Sequence, residues 1–141
     1  MRRGGGLGDG TRIGMTQAIG RIGWVQIDCP DPERLAAFWA EILGVEIESR
    51  LGSPPQFVNL GRQSPDAPHV SFQRVPEPKT VKNRVHLDIV VGDVALATSR
   101  IELLGGRRRR PEADFTEYGY SWRTMADPEG NEFCLIYEPQ S

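Results

Sequence analysis

Trp24-Val-Gln-Ile-Asp-Cys-Pro-Asp31, followed by an amphipathic run ending at Ile42-Leu-Gly44, returns as His86-Leu-Asp-Ile-Val-Val-Gly-Asp93 and a run ending at Leu103-Leu-Gly105. Asp31 and Asp93 lie 62 positions apart and Gly44 and Gly105 lie 61 apart, so the copies keep register except for one residue dropped within the second helix. The chain is a duplicated supersecondary unit. Two fused copies of an open, half-buried unit share one core, and the concave faces of their sheets then line one cavity.

In the first copy Val25 and Ile27 alternate with Trp24, Gln26 and Asp28, the period-two mark of a half-buried strand. Asp31-Pro32-Glu33 then opens a helix with an acceptor at the N-cap, proline at the first helical position and a carboxylate in the first turn. Leu35, Phe38, Trp39, Ile42 and Leu43 supply its apolar stripe, and Gly44 closes it. Strands are expected at Val45 to Arg50, Gln56 to Leu60 and His69 to Val75, separated by turn-forming stretches at Gly52 to Pro55 and Ser64 to Pro68. Pro76 to Asn83 reads as a linker. A strand at Arg84 to Val91, a helix at Asp93 to Leu104 and a strand at Arg107 to Arg110 follow. Strands at Ser121 to Ala126 and Glu132 to Glu138 close the chain around the turn Asp127-Pro-Glu-Gly130. The expectation is an α+β domain over residues 21–139, made of βαβββ modules 21–76 and 83–139. Val25, Ile27, Leu87 and Ile89 should pack under the helices while Trp24, Gln26, His86 and Asp88 face the cup, since a one-residue slip would invert every side chain.

A chain of 141 residues holds one such domain and not two independent ones. Lys and Arg number 17 against 19 Asp and Glu, a net charge of −2 that provides no drive toward nucleic acid or anionic membrane. No apolar run approaches the roughly 20 residues that span a bilayer, and no secretory h-region is seen, so a cytoplasmic location is expected. Cys29 and Cys134 are then thiols. Met1 to Gly20 carries seven glycines and no apolar periodicity, so it is expected to be a disordered arm. Met15, directly before the first strand signal, leaves two readings of that arm open, a dispensable extension and a start-site artefact.

The order of elements, the strand-to-Asp-to-Leu-Gly pattern in both halves, and the closing Met125-Ala-Asp-Pro-Glu-Gly-Asn-Glu-Phe-Cys-Leu135 resemble the vicinal oxygen chelate superfamily, which includes glyoxalase I, extradiol dioxygenases and bleomycin-resistance proteins. The resemblance runs from about Arg21 to Pro139 and is strongest to small glyoxalase-like single-domain members. It implies a cup-shaped domain, commonly a homodimer. In metal-dependent relatives it also implies a divalent ion held by one side chain from the first strand and one from the last strand of each module. On this chain those positions fall at Trp24, Ser71, His86 and Cys134. Only His86 is a strong, habitual ligand; an indole cannot ligate in this way and a serine hydroxyl is a weak neutral donor. Gln26, Asp28, Asp88 and Gln73 stand two positions away as displaced ligands. The vacancy is aromatic and mostly uncharged, so the cup is expected to bind a ligand without a tightly held metal. Zinc, nickel or iron are the ions to consider if one binds.

Each candidate has two readings. His86 is either a hydrogen-bonded strand histidine or a base or ligand. Asp88 either orients His86 and works with it as a general base or pairs with an arginine. Cys134 reads more simply as a small buried hydrophobe than as a reactive thiol. Trp24 and Trp122 either stack a planar guest or fill the cup. Arg107 to Arg110 reads as a solvated strand rather than a phosphate patch, and His69 as exposed and remote from the site. Asp31 and Asp93 read as helix caps. Tyr118-Gly-Tyr120 is the expected lid over an apolar guest.

Two functions follow. One is a small-molecule-binding protein with a degenerate metal site, taking a planar or partly apolar metabolite against Trp24, Gln26, Ser71, Gln73, Tyr118, Tyr120, Trp122 and Cys134. The other is a metal-dependent or metal-free lyase, isomerase or dioxygenase-type enzyme acting on a small oxygenated metabolite, with His86 as ligand or base and Asp88 beside it.

Overall fold

The computed structural model describes residues 18–109 and 113–139. The expected arm, 1–20, therefore falls outside the described residues except for its last three, as does Arg110.

Asp31 and Asp93 act as caps. Asp31 Oδ1 accepts from the amide of Arg34 at 3.2 Å, and α1 (Pro32–Leu43) runs until Gly44, whose φ of 67° is the left-handed closure expected of glycine. Asp93 Oδ1 accepts from the amide of Leu96 at 3.0 Å and opens α2 (Val94–Leu103). The exit of α2 needs glycine for space as well, because a Cβ on Gly106 would lie 2.6 Å from Ile101 Cγ2 and 3.1 Å from Phe38 Cε1.

Module one contributes β1 (Trp24–Cys29), β2 (Ile47–Leu51), β3 (Phe57–Leu60) and β4 (His69–Arg74), in the sheet order β1-β4-β3-β2 with β1 and β4 parallel. Module two contributes β5 (Leu87–Val90), β6 (Arg107–Arg108), β7 (Phe115–Glu117), β8 (Tyr120–Ala126) and β9 (Glu132–Tyr137), in the order β5-β9-β8-β6 with β7 also on β8. The two sheets thus repeat one plan, and β6 and β7 together fill the place that β2 holds alone. The fold is the α+β pair of modules expected. Val25 and Ile27 alternate inward along β1, and Ile27, Leu87 and Ile89 pack against the buried core, whereas Trp24, Gln26, His86 and Asp88 are exposed on the opposite face.

One local expectation is corrected and two are made more specific. β5 starts at Leu87 and not at Arg84, because the side chain of Asn83 takes the backbone bonds that a longer strand would have used. Its Oδ1 accepts from the amide of Glu132 at 3.0 Å and its Nδ2 donates to the carbonyl of Glu132 at 3.3 Å. Tyr118 and Gly119 form the two-residue turn of the β7–β8 hairpin, with φ of 54° and 82°, and Glu117 pairs with Tyr120. That geometry matches the twist of the flanking strands, so the segment expected as a lid is the tip of a hairpin. The arginine run is a solvated strand only in part: β6 forms and Arg107 and Arg109 are exposed, but two of the side chains are held by carboxylates. Arg108 turns to the helix side and meets Asp114 at 3.0 Å, and Arg109 reaches Glu132 at 3.1 Å.

The modules are joined through α1. Trp39 is buried, its ring centroid 4.8 Å from that of Phe133 on β9, and Phe38 stands 6.2 Å from the same ring. The indole Nε1 of Trp39 donates to Asp127 Oδ2 at 3.1 Å. Asp127, fully buried, also accepts from the amides of Glu129 and Asn131 and from Asn131 Nδ2. The Asp-Pro-Glu-Gly-Asn sequence is therefore a self-satisfied turn whose remaining acceptor receives the helix of the other module. A second polar cluster sits on the helix side of module two. Arg123 binds Asp114 through two nitrogens at 2.9 Å and Thr98 of α2 through a third, and Tyr137 donates to Asp114. These donors hold the Asp114 carboxyl below the usual range, with Arg123 the largest cause.

Candidate functional site

The face of each sheet turned away from the helices carries the candidate residues. Register decides which of them meet. On module two, Asp88 pairs with Cys134 and Cys134 with Thr124, so these three lie in one row, and His86 stands two positions before Asp88 on the same face. His86 Nε2 is 3.2 Å from Asp88 Oδ1, both half-exposed. One donor atom from each of His86, Asp88 and Cys134 can be chosen with all three within 4.8 Å of one another. Cys134 is buried at the base of this group with Thr124 Oγ1 3.8 Å from its sulfur, and burial pushes its thiol pKa up. Further along the same face Trp122 stacks on Phe115, ring centroids 5.6 Å apart, beside Ile136 and the exposed Val90. The face therefore grades from a polar end to an aromatic one. Tyr118 and Tyr120 are exposed at the hairpin tip.

On module one, Trp24 pairs with His69, Gln26 with Ser71 and Asp28 with Gln73. Trp24 is 59% exposed and lies flat on the His69 ring, centroids 5.6 Å apart and planes 16° from parallel. His69 is thus neither exposed nor remote; its Nδ1 is also 2.9 Å from the carbonyl oxygen of Leu60. Ser71 is fully buried, with its hydroxyl bonded to Asn59 Oδ1 and 3.3 Å from the carbonyl oxygen of Val58. Gln26 and Asp28 remain exposed, and Gln73 is half-buried.

The implied four-ligand metal centre does not fit these residues. On module one its two positions hold an indole stacked on imidazole and a hydroxyl already bonded to Asn59. Among the described residues, no side-chain hydrogen bond or ring contact joins the Trp24, Gln26, Ser71 and Gln73 set to the His86, Asp88, Cys134 and Trp122 set. Module two, in contrast, gathers three donors of different chemistry in one place.

Sequence reasoning missed Asn59, Thr124 and Phe115 as neighbours of the site. Thr124 was within reach, since pairing β8 with β9 outward from the Asp127 turn places it opposite Cys134. It also missed that Lys82 and Arg109 converge on Glu132, holding that carboxyl below its usual range, Lys82 first. Cys29 lies on the packed side with its thiol pushed up to about 12 by burial, which removes it from any chemistry near neutral pH.

Comparison with known proteins agrees with this architecture. The sequence profile of a glyoxalase-like domain family matches residues 24–136. Among solved structures, the oxidase ChaP-H2 is 20% identical with a TM-score of 0.63, over 88% of this chain and 98% of its own. A glyoxalase-related enzyme from Fulvimarina pelagi is 17% identical with a TM-score of 0.63, over 84% of this chain and 88% of its own. A glyoxalase/bleomycin resistance protein/dioxygenase family enzyme from Burkholderia phytofirmans PsJN is 18% identical with a TM-score of 0.58, over 83% of this chain and 98% of its own. Identities this low carry the fold and nothing finer. No curated protein matches the chain. With its profile match running from the start of β1 into β9, across both modules, the chain belongs to the glyoxalase-like domain family, within the vicinal oxygen chelate superfamily.

Proposed function

We propose that the protein binds a planar or partly apolar metabolite on the cup faces of its sheets and has lost the family's shared metal centre. The observation that carries this reading is the module-one half of that centre, where Trp24 lies exposed on His69 and Ser71 is consumed by Asn59. An indole held flat with one face accessible offers a stacking platform, and Gln26 and Asp28 beside it supply polar groups that orient a guest. Tyr120, Trp122 and Phe115 extend the aromatic lining on module two. In this reading the protein is a cytoplasmic homodimer whose other partner is a small molecule; among the described residues no helix is long and apolar enough to cross a membrane.

The test is a titration of indole fluorescence with a panel of planar aromatic metabolites, repeated with Trp24→Ala. Saturable quenching by at least one compound, weakened tenfold or more by the substitution, is the expected result. Because His69 supports the Trp24 ring, His69→Ala should weaken binding as well, by less. Saturable binding that Trp24→Ala leaves unchanged would sink this placement of the guest.

A second reading is favoured by the His86–Asp88 pair at 3.2 Å. A carboxylate against an imidazole stabilises the imidazolium that forms when histidine takes a proton, for example one next to a carbonyl, so this pair suits metal-free lyase or isomerase chemistry. Turnover of an α-hydroxy carbonyl compound that disappears in His86→Ala is the outcome that would select it.

A further inference from the structure

We propose that module two by itself forms a three-donor site for a divalent cation of the zinc class, built from His86, Asp88 and Cys134. The site differs from the family arrangement in that Asp88, which lies outside the four implied positions, replaces what module one no longer supplies. It stands apart from the binding of an organic guest.

Three features of the structure support it. The donors are fixed by two adjacent strands, since Asp88 and Cys134 are register partners and His86 follows the same face of the chain. Their atoms lie within 4.8 Å of one another before any ion draws them together. Donors about 2.0–2.3 Å from a tetrahedral zinc stand roughly 3.5 Å apart, so the group must contract by about 1 Å. His86 and Asp88 are 50% and 55% exposed, and rotation of such side chains covers that distance while the buried Cys134 stays in place.

The mixture of donors sets the class of ion. One imidazole nitrogen, one carboxylate oxygen and one sulfur suit zinc or cobalt, whereas calcium and magnesium prefer oxygen donors throughout. Three protein ligands leave a fourth position on the exposed side for water, the pattern of an open rather than a closed zinc site. Thr124 beside the sulfur is placed to hold it as an outer partner. Binding breaks the Cys134 S–H bond and forms a metal–sulfur bond; the proton passes to solvent and no electrons are transferred. With three donors, two of them half-exposed, the ion is exchangeable rather than permanently held.

The experiment is a titration of the reduced full chain with cobalt(II) alone, read by visible and near-ultraviolet absorption, followed by displacement with zinc. Expected are one cobalt per chain, tetrahedral d–d bands and a thiolate-to-cobalt charge-transfer band. Cys134→Ser should abolish the charge-transfer band and Cys29→Ser should keep it. His86→Ala and Asp88→Asn should each weaken cobalt binding tenfold or more, and circular dichroism should show each variant folded, since both side chains are exposed. Absence of the thiolate band in the parent protein, or its persistence in Cys134→Ser, overturns the proposal. Unchanged affinity in Asp88→Asn overturns the role of the aspartate and with it the three-donor site. A tenfold loss in Gln26→Ala would bring a module-one donor into the site and overturns it as well.

Discussion

Replacing Trp39 by phenylalanine should cost this protein a large share of its stability. The substitution keeps an aromatic ring against Phe133 but removes the indole N–H that Asp127 accepts at 3.1 Å in a fully buried position. A hydrogen bond to a charged group contributes about 1.5–3 kcal/mol. Shrinking the ring in a closed core adds about 1 kcal/mol for lost contact and residual cavity. Asp127 retains its bonds from Glu129 and Asn131, so the turn itself survives and the loss stays near the sum of these terms, about 3 kcal/mol. For a domain of this size that corresponds to a fall in Tm of roughly 10–15 °C. Urea unfolding followed by far-ultraviolet circular dichroism should show the midpoint shift at constant slope. Trp24→Phe, at a 59% exposed position, serves as the control and should change stability by less than about 0.5 kcal/mol. A loss below about 1 kcal/mol for Trp39→Phe would show that the bond to Asp127 does not clamp the modules together.

The Asp114 carboxyl is held below its ordinary range by Arg123, Tyr137 and Arg108, so its contribution is complete above the unfolded carboxylate range and is lost as pH falls through the folded value. Asp114→Asn should therefore destabilise by about 3 kcal/mol at neutral pH, with the gap to the parent narrowing in acid; a gap that widens on acidification contradicts the ion network. Cys29 should resist thiol reagents at pH 8 in the folded protein and react on unfolding, as its raised pKa of about 12 requires; rapid modification of native protein would count against its burial. Light scattering at micromolar concentration is expected to give a dimer, and a monomer alone would remove the homodimer from the functional reading. Deleting Met1 to Thr16 should leave the melting temperature unchanged, since that composition brings no apolar face to the core, and a marked drop would show that it docks.

The repeat made most of the frame legible. Asp31 and Asp93 cap helices as their sequence context requires, and the alternation along 24–28 and 86–89 assigned each side chain to its face. What escaped depends on partners distant in sequence. The stack of Trp24 on His69 arises from parallel pairing of strands joined through a helix and two other strands, a register that neither segment reveals alone. β5 is short because a side-chain amide, Asn83, competes for the backbone of Glu132. The tight turn at Tyr118-Gly119 is hard to see in the sequence because tyrosine is not the usual first residue of a turn with both centres at positive φ. His86 and Asp88 could be paired from their spacing, but Cys134 joined them only once β9 was set beside β5.

The bond from Trp39 to Asp127 has no mirror image among the described residues, since none of their hydrogen bonds runs from α2 to the 64–67 turn of the first half. The halves are therefore joined asymmetrically, and the covalent link keeps α1 at high effective concentration near the Asp127 turn while its end, Lys82 and Asn83, is itself held by Glu132. A cut ahead of Lys82 separates α1 from the Asp127 turn and Phe133 that it packs on, so recovery of the fold should depend on the concentration of the two fragments. The link is a natural place at which to divide this chain into complementing halves.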